Sequence, residues 1–219
     1  VTIMQVLANR GANESFTAVT ALLKSSDPTV RDAAYNTLPA ISKSENLASL
    51  TSLLSTAGNE NEIKLVQQAI VAAVQGSPQK EQDIQSLLAS YQSANPNGKT
   101  LYLNVFSGIG EGKALQPVVE VLDGNDANLK AAAVEALANW NDHDALPELI
   151  KLGRTTSDSK QLNQILNGIV RLTAQSDFPA EQKVLLLRDA MGVAQNTQQK
   201  RMILGALSNN FTYNALIFA

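Results

Sequence analysis

A pair of signals repeated down the length of this chain restricts its fold more than anything else in it. An acidic or amide residue stands four places before a basic one at Asp27/Arg31, Glu60/Lys64, Asn95/Lys99, Asp126/Lys130 and Asn196/Lys200, each time where an apolar, Ala-rich helix pattern begins. Self-similarity at a steady interval marks a repeat architecture, in which every unit solves the same packing problem as its neighbour. It says how a chain is built and leaves open what the chain acts on.

The interval identifies the unit. One kind of segment carries a doubled aliphatic near its end: Leu22-Leu23, Leu53-Leu54, Leu87-Leu88, Val121-Leu122, Leu149-Ile150 and Leu186-Leu187. The segment after it carries a large apolar anchor behind a run of small residues: Leu38, Val71, Phe106, Leu137, Ile169 and Leu207. Successive anchors lie 31 to 38 residues apart, too long for one helix and right for two. Counting back from each anchor, Ala33-Ala34, Val66, Leu101-Tyr102, Ala132-Ala133, Ile165 and Met202-Ile203 share its face at the spacing of a buried helical stripe. Strict apolar/polar alternation is absent, so no strand pattern competes.

Punctuation supplies the boundaries. Asp27-Pro28, Ser77-Pro78 and Asn95-Pro96 each set an oxygen-bearing cap before a proline, whose fixed φ suits the first helical position. Gly58, Gly76, Gly112 and Gly124 fall where the apolar period lapses, as C-terminal caps or short turns do. The chain therefore reads as one all-α repeat domain over 1–219, about six helical hairpins in all. These are a leading half-repeat at 1–10, hairpins near 13–42, 45–75, 78–109, 113–140, 144–175 and 179–209, and a broken helix over 212–219. A single hairpin cannot bury its apolar face, so stacking must supply the core, and the expected product is a curved rod. The start at Val1 without methionine and the apolar end Leu216-Ile217-Phe218-Ala219 suggest a piece of a longer polypeptide.

Two stretches carry a recognisable consensus. Residues 21–38, with Asp27, Arg31, Ala34 and Leu38, and residues 121–137, with Asp126, Lys130, Ala133 and Leu137, resemble the HEAT repeat and the HEAT-like repeats of the phycobilisome-lyase type. The resemblance extends over nearly the whole chain. It thins in the last third, where Leu162 stands at the basic position. It implies a right-handed α-α superhelix, and a charge ladder between neighbouring repeats at Asp27, Arg31, Glu60, Lys64, Asn95, Lys99, Asp126, Lys130, Asn196 and Lys200. The physics of helix ends agrees, since an acidic or amide cap suits the N-terminus and a basic residue four places on is close enough to pair with it or with the next cap. Such a ladder is scaffold.

Composition narrows the function classes. Apolar residues make up 44% and charged residues only 17%, against ~25% in an average domain, and Asn, Gln, Ser and Thr take their place. A net charge of −3 and a pI near 5.2 give a polyanion nothing to bind, so nucleic acid is not an expected partner. The chain has no cysteine, which removes disulfides, thiolate metal sites and cysteine nucleophiles. No apolar stretch is long enough to cross a bilayer.

Little remains for catalysis. The single histidine, His143, sits between Asp142 and Asp144 in a turn, and with no second histidine a turn or capping role is the expected one. Trp140 shares a column with Ile41, Val74 and Ile109, which reads as core. Gly108-Ile109-Gly110-Glu111-Gly112 is a helix end, with no strand before it and no Lys-Ser/Thr after it. No catalytic residue, cofactor or metal is expected.

The outward face of the second helices is what is left to bind something. Its two columns read Asn36, Ala69, Asn104, Glu135, Asn167, Gly205 and Ala40, Ala73, Gly108, Asn139, Arg171, Asn209. Family resemblance places this face on the concave side, and the candidate contact residues are Asn104, Glu135, Asn139, Asn167 and Arg171. Amide side chains offer donors and acceptors at small desolvation cost, which suits a polar peptide, a neighbouring domain or a carbohydrate. The expected function is a non-catalytic interaction or spacer module within a larger bacterial protein. The alternatives are a module beside an exported sugar-active or redox domain, which favours a periplasmic or exported setting over the cytoplasm, and a bilin-lyase-like enzyme.

Overall fold

The computed structural model describes residues 2–208. Among them every regular element is a helix, and none is long and apolar enough to cross a membrane. The contacts gather into two compact units, Val1–Ile109 and Gly110–Ala219, where the sequence suggests one continuous domain. The expected broken helix at 212–219 and column residue Asn209 lie outside the described residues.

The first unit holds α1 (Thr2–Arg10), α2 (Phe16–Leu22), α3 (Pro28–Ile41), α4 (Leu47–Thr56), α5 (Glu60–Gln75), α6 (Lys80–Ser93) and α7 (Pro96–Ile109). Second helices α1, α3, α5 and α7 pack each on the next, while first helices α2, α4 and α6 each pack on the second helix that follows. The second unit repeats the plan with α8 (Gly112–Leu122), α9 (Ala127–Ala138), α10 (Leu146–Thr155), α11 (Ser159–Gln175), α12 (Ala180–Val193) and α13 (Thr197–Leu207). Within each unit, the strongest contacts therefore join helices that are neighbours or next neighbours in sequence.

Caps fix where these helices begin. The Asp27 carboxylate accepts the Thr29 N–H at 2.9 Å, and Asp126 accepts from Asn128 and Leu129 at 2.9 and 3.0 Å. Asp158 and Asn196 do the same for Gln161 and Gln199. Two boundaries differ from expectation. The Ser77 hydroxyl accepts the Gln79 N–H at 3.0 Å and closes a turn around Pro78, so α6 starts only at Lys80. Gly112 is the first residue of α8, and the left-handed turn after α7 falls on Gly110, at φ +75°.

Five of the six expected anchors are buried: Leu38, Phe106, Leu137, Ile169 and Leu207. The sixth is not. In α5 the buried stripe is Val66, Ile70 and Val74 with Ala69 and Ala73, and Val71 is only half-buried. The register is shifted by one residue, so exposed Gln68 and half-buried Ala72 take the outward positions expected of Ala69 and Ala73. The run from Ala69 to Val74 is apolar throughout and contains no polar residue to mark the solvent side. Trp140 is fully buried, as are its column partners Ile41 and Val74, with Ile109 nearly so.

The surface of the first helices is rich in hydroxyls that turn inward. Thr20, Thr51, Ser55, Ser90, Ser93 and Thr155 each donate to the carbonyl oxygen three or four residues earlier, at 2.8–3.1 Å. This local bonding lets a helix carry many short polar side chains without leaving their protons unpaired.

Candidate functional site

Helices α9 and α11 meet at a glycine. A Cβ on Gly168 would lie 2.8 Å from the Ala138 carbonyl oxygen and 2.9 Å from its Cα, so only glycine lets the two backbones approach this closely. Beside the contact is a cleft of about 260 Å³, lined by Glu135, Ala138 and Asn139 on one side and by Gln164, Asn167, Gly168 and Arg171 on the other. Four of the five candidate residues, Glu135, Asn139, Asn167 and Arg171, are therefore brought together. The fifth, Asn104, is exposed on α7 in the first unit and is not among the lining residues.

Helical periodicity explains the grouping. Asn139 follows Glu135 by four residues and Arg171 follows Asn167 by four, so each helix presents two side chains one turn apart on one face. Gly168 holds the two faces against each other. Glu135, Asn139 and Asn167 are exposed, while Gln164 and Arg171 are half-buried.

Arg171 is fixed in place. Its Nη2 donates to the carbonyl oxygens of Trp140 at 2.6 Å and Ala138 at 3.0 Å, and its Nη1 donates to Gln175 Oε1 at 2.9 Å. The two carbonyls belong to the C-terminal end of α9, where acceptors lack helical donors and the dipole favours a cation. Burial pushes the guanidinium pKa down from its ordinary value. Among the described residues, neither Arg171 nor Glu135 forms an ion pair, with each other or with any other group. The sequence placed Arg171 in an outward column, and its clamp on α9 was not legible there because the carbonyls it reaches lie more than thirty residues away.

The charge ladder departs from its expected form. Asp27, Asn95, Asp126 and Asn196 cap their helices. Glu60 does not: Asn59 is the cap of α5, accepting the Glu62 N–H at 3.0 Å, and Glu60 is an exposed first residue. Arg31 reaches across to Glu62, with Nε 3.7 Å from Oε1, and Glu62 Oε2 accepts the Gly58 N–H at 2.8 Å. Burial first, and then Glu62, raise the pKa of the neighbouring Tyr35 phenol. Lys64, Lys130 and Lys200 make no ion pair among the described residues, and Lys99 lies 5.4 Å from the centre of the Tyr91 ring.

Besides the Arg171 clamp, cross-repeat bonds come from the third helical position and from glutamines. Gln199, nearly fully buried, donates to Asn163 Oδ1 at 2.7 Å, while Gln67 and Gln75 of α5 donate to the Leu101 and Gly108 carbonyls of α7. A residue three places after each cap was the signal that could have found Glu62 and Gln199.

His143 opens a short 3-10 turn, its Nδ1 3.1 Å from Asp142 Oδ1 and its ring edge-on to Phe178. Ligand atoms of Asp142, His143 and Asp144 lie within 4.8 Å of one another. Asp142 Oδ1 also accepts the Asp144 N–H, which makes it a cap of the turn.

No protein-family model matches the chain, and no curated protein does. The solved structures similar to it include two crystal structures, each described as an engineered protein of the Northeast Structural Genomics Consortium. One is 16% identical with a TM-score of 0.39, over 93% of this chain and 92% of that one. The other is 18% identical with a TM-score of 0.41, over 95% of this chain and 60% of that one.

Proposed function

We propose that the chain is a HEAT-like α-solenoid, wound as a right-handed superhelix, that acts as a non-catalytic interaction or spacer module. Its partner is a protein or a neighbouring domain of the same polypeptide. The packing inside each unit supports the repeat reading, since second helices stack in sequence and each first helix covers its own partner. One observation carries the binding reading: Glu135, Asn139, Asn167 and Arg171 line a single cleft in which a carboxylate and a guanidinium both remain unpaired. A concave place where groups of both signs converge with several amides offers the few placed polar contacts that a binding surface needs.

Site-specific photocrosslinking in the full-length polypeptide tests this. A photoreactive residue at Asn139 or Asn167 is expected to give one discrete adduct, either to a second protein or to another domain of the chain. Glu135→Ala should abolish that adduct. No adduct, or the same adduct from a probe at exposed Lys64, would refute the reading. An adduct to a fused sugar-active or redox domain would select the accessory-module form of it.

A further inference from the structure

We propose that the α9–α11 cleft binds a small zwitterion, an α-amino acid or a dipeptide with free termini, its carboxylate on Arg171 and its ammonium on Glu135. The inference rests on reading this cleft as the contact site and names the chemistry that the site selects.

Charge is the first argument. The cleft holds one fixed positive and one free negative group, on opposite helices, and they do not pair. Their placement accounts for this: Arg171 is clamped level with residues 138–140, whereas Glu135 stands one turn earlier on α9. An anion alone would meet Glu135, and a cation alone would meet Arg171. A molecule carrying both signs a few bonds apart satisfies both groups.

Hydrogen-bonding capacity is the second. Of the five guanidinium N–H groups of Arg171, three are committed to Trp140, Ala138 and Gln175. The other two, on Nε and on Nη1, lie on different edges of the guanidinium, so one of them is left to donate to a ligand carboxylate, and the clamp pre-sets the guanidinium plane so that little entropy is lost on binding. Gln164, Asn167 and Asn139 add neutral donors and acceptors around the charged pair. Size is the third. At about 260 Å³ the cleft is smaller than the ~300–1,000 Å³ pockets that enclose drug-sized ligands, which suits one or two amino-acid residues.

Titration of the 219-residue chain by calorimetry and by amide shifts tests the proposal. The probes are L-glutamine, L-leucine and glycylglycine, with N-acetyl-L-glutamine and L-glutaminamide as forms lacking one charge. Saturable binding is expected for at least one zwitterion, with shifts at Glu135, Asn139, Asn167 and Arg171, and the ratio of glycylglycine to single amino acids separates the two sources. Blocking either terminus should weaken binding by about tenfold or more, as loss of a charge-assisted bond does. Glu135→Gln, at an exposed position that leaves the α9 clamp intact, should weaken L-glutamine alike and let N-acetyl-L-glutamine bind as well as L-glutamine. No saturable shift with any probe, or equal binding of the blocked forms, would overturn the proposal. Protein adducts at 139 and 167 with a silent titration would remove the zwitterion and leave the interaction module standing, and saturable titration without adducts would do the reverse.

Discussion

Along the α5–α7 seam of the first unit the helices meet through apolar and neutral groups, whereas the α9–α11 seam of the second carries charge and a cleft. In the first, a Cβ on Gly108 would come 2.7 Å from Val71 Cγ2, and Gln67 and Gln75 donate to α7 carbonyls at 3.0 and 3.1 Å. In the second, backbone meets backbone at Gly168, and an arginine makes the reach to the neighbouring helix. A glutamine that has made its hydrogen bond leaves nothing behind. A guanidinium that has made the same bond still carries its charge, and that residue of electrostatic demand separates a seam that only repeats from one that can recognise something.

The largest expected effects test whether both seams sit on the same kind of core. Leu137→Ala in α9 and Ile70→Ala in α5 should each cost ~2–5 kcal/mol by equilibrium denaturation, because both side chains are fully buried. Val71→Ala should cost about 1 kcal/mol, since Val71 is half-buried. If Val71 proves the more costly of the two in α5, the one-residue register shift is wrong and the outward face of the first unit must be redrawn.

The glycines sharpen the contrast between side-chain and backbone contact. Gly168→Ala should destabilise by ~1–3 kcal/mol, as overpacking does where a backbone must move. Gly108→Ala meets Val71, a β-branched side chain held to one rotamer in its helix, and alanine's better helix propensity, worth ~1 kcal/mol, offsets only part of the crowding, so a loss of ~0.5–1.5 kcal/mol is expected. Equal costs would mean that the two seams are equally tight.

The smallest effect addresses the polar bridges. Arg171→Met should cost about 1–2 kcal/mol, through two helix-end carbonyls left without a donor. Gln75→Met, which removes one exposed amide bond, should cost under ~0.5 kcal/mol. Thermal denaturation of both variants side by side reads the difference. Matching values would show that charge adds nothing to the α9–α11 seam.

Much of the architecture was legible because it depends on local chemistry. Caps such as Asp27 and Asp126 act within three residues, and anchors such as Phe106 and Leu137 announce themselves by periodicity. The α5 register was not, because from Ala69 to Val74 burial is decided by contact with α3 and α7 and not by any polar marker. At the site, spacing alone put Glu135 with Asn139 and Asn167 with Arg171. That Arg171 caps a helix in the preceding repeat, and that Glu62 and not Glu60 answers Arg31, depended on distances between segments about thirty residues apart.

The inward-turned hydroxyls of the first helices have a consequence for behaviour in solution. Thr51, Ser55 and Ser93 spend their protons on their own helices and show water only oxygen lone pairs. With a net charge of only −3, such a surface is kept dispersed by bound water and hardly by mutual repulsion. Added salt, which screens charge, should therefore do little to its colloidal behaviour, while solutes that compete for hydration should do much more.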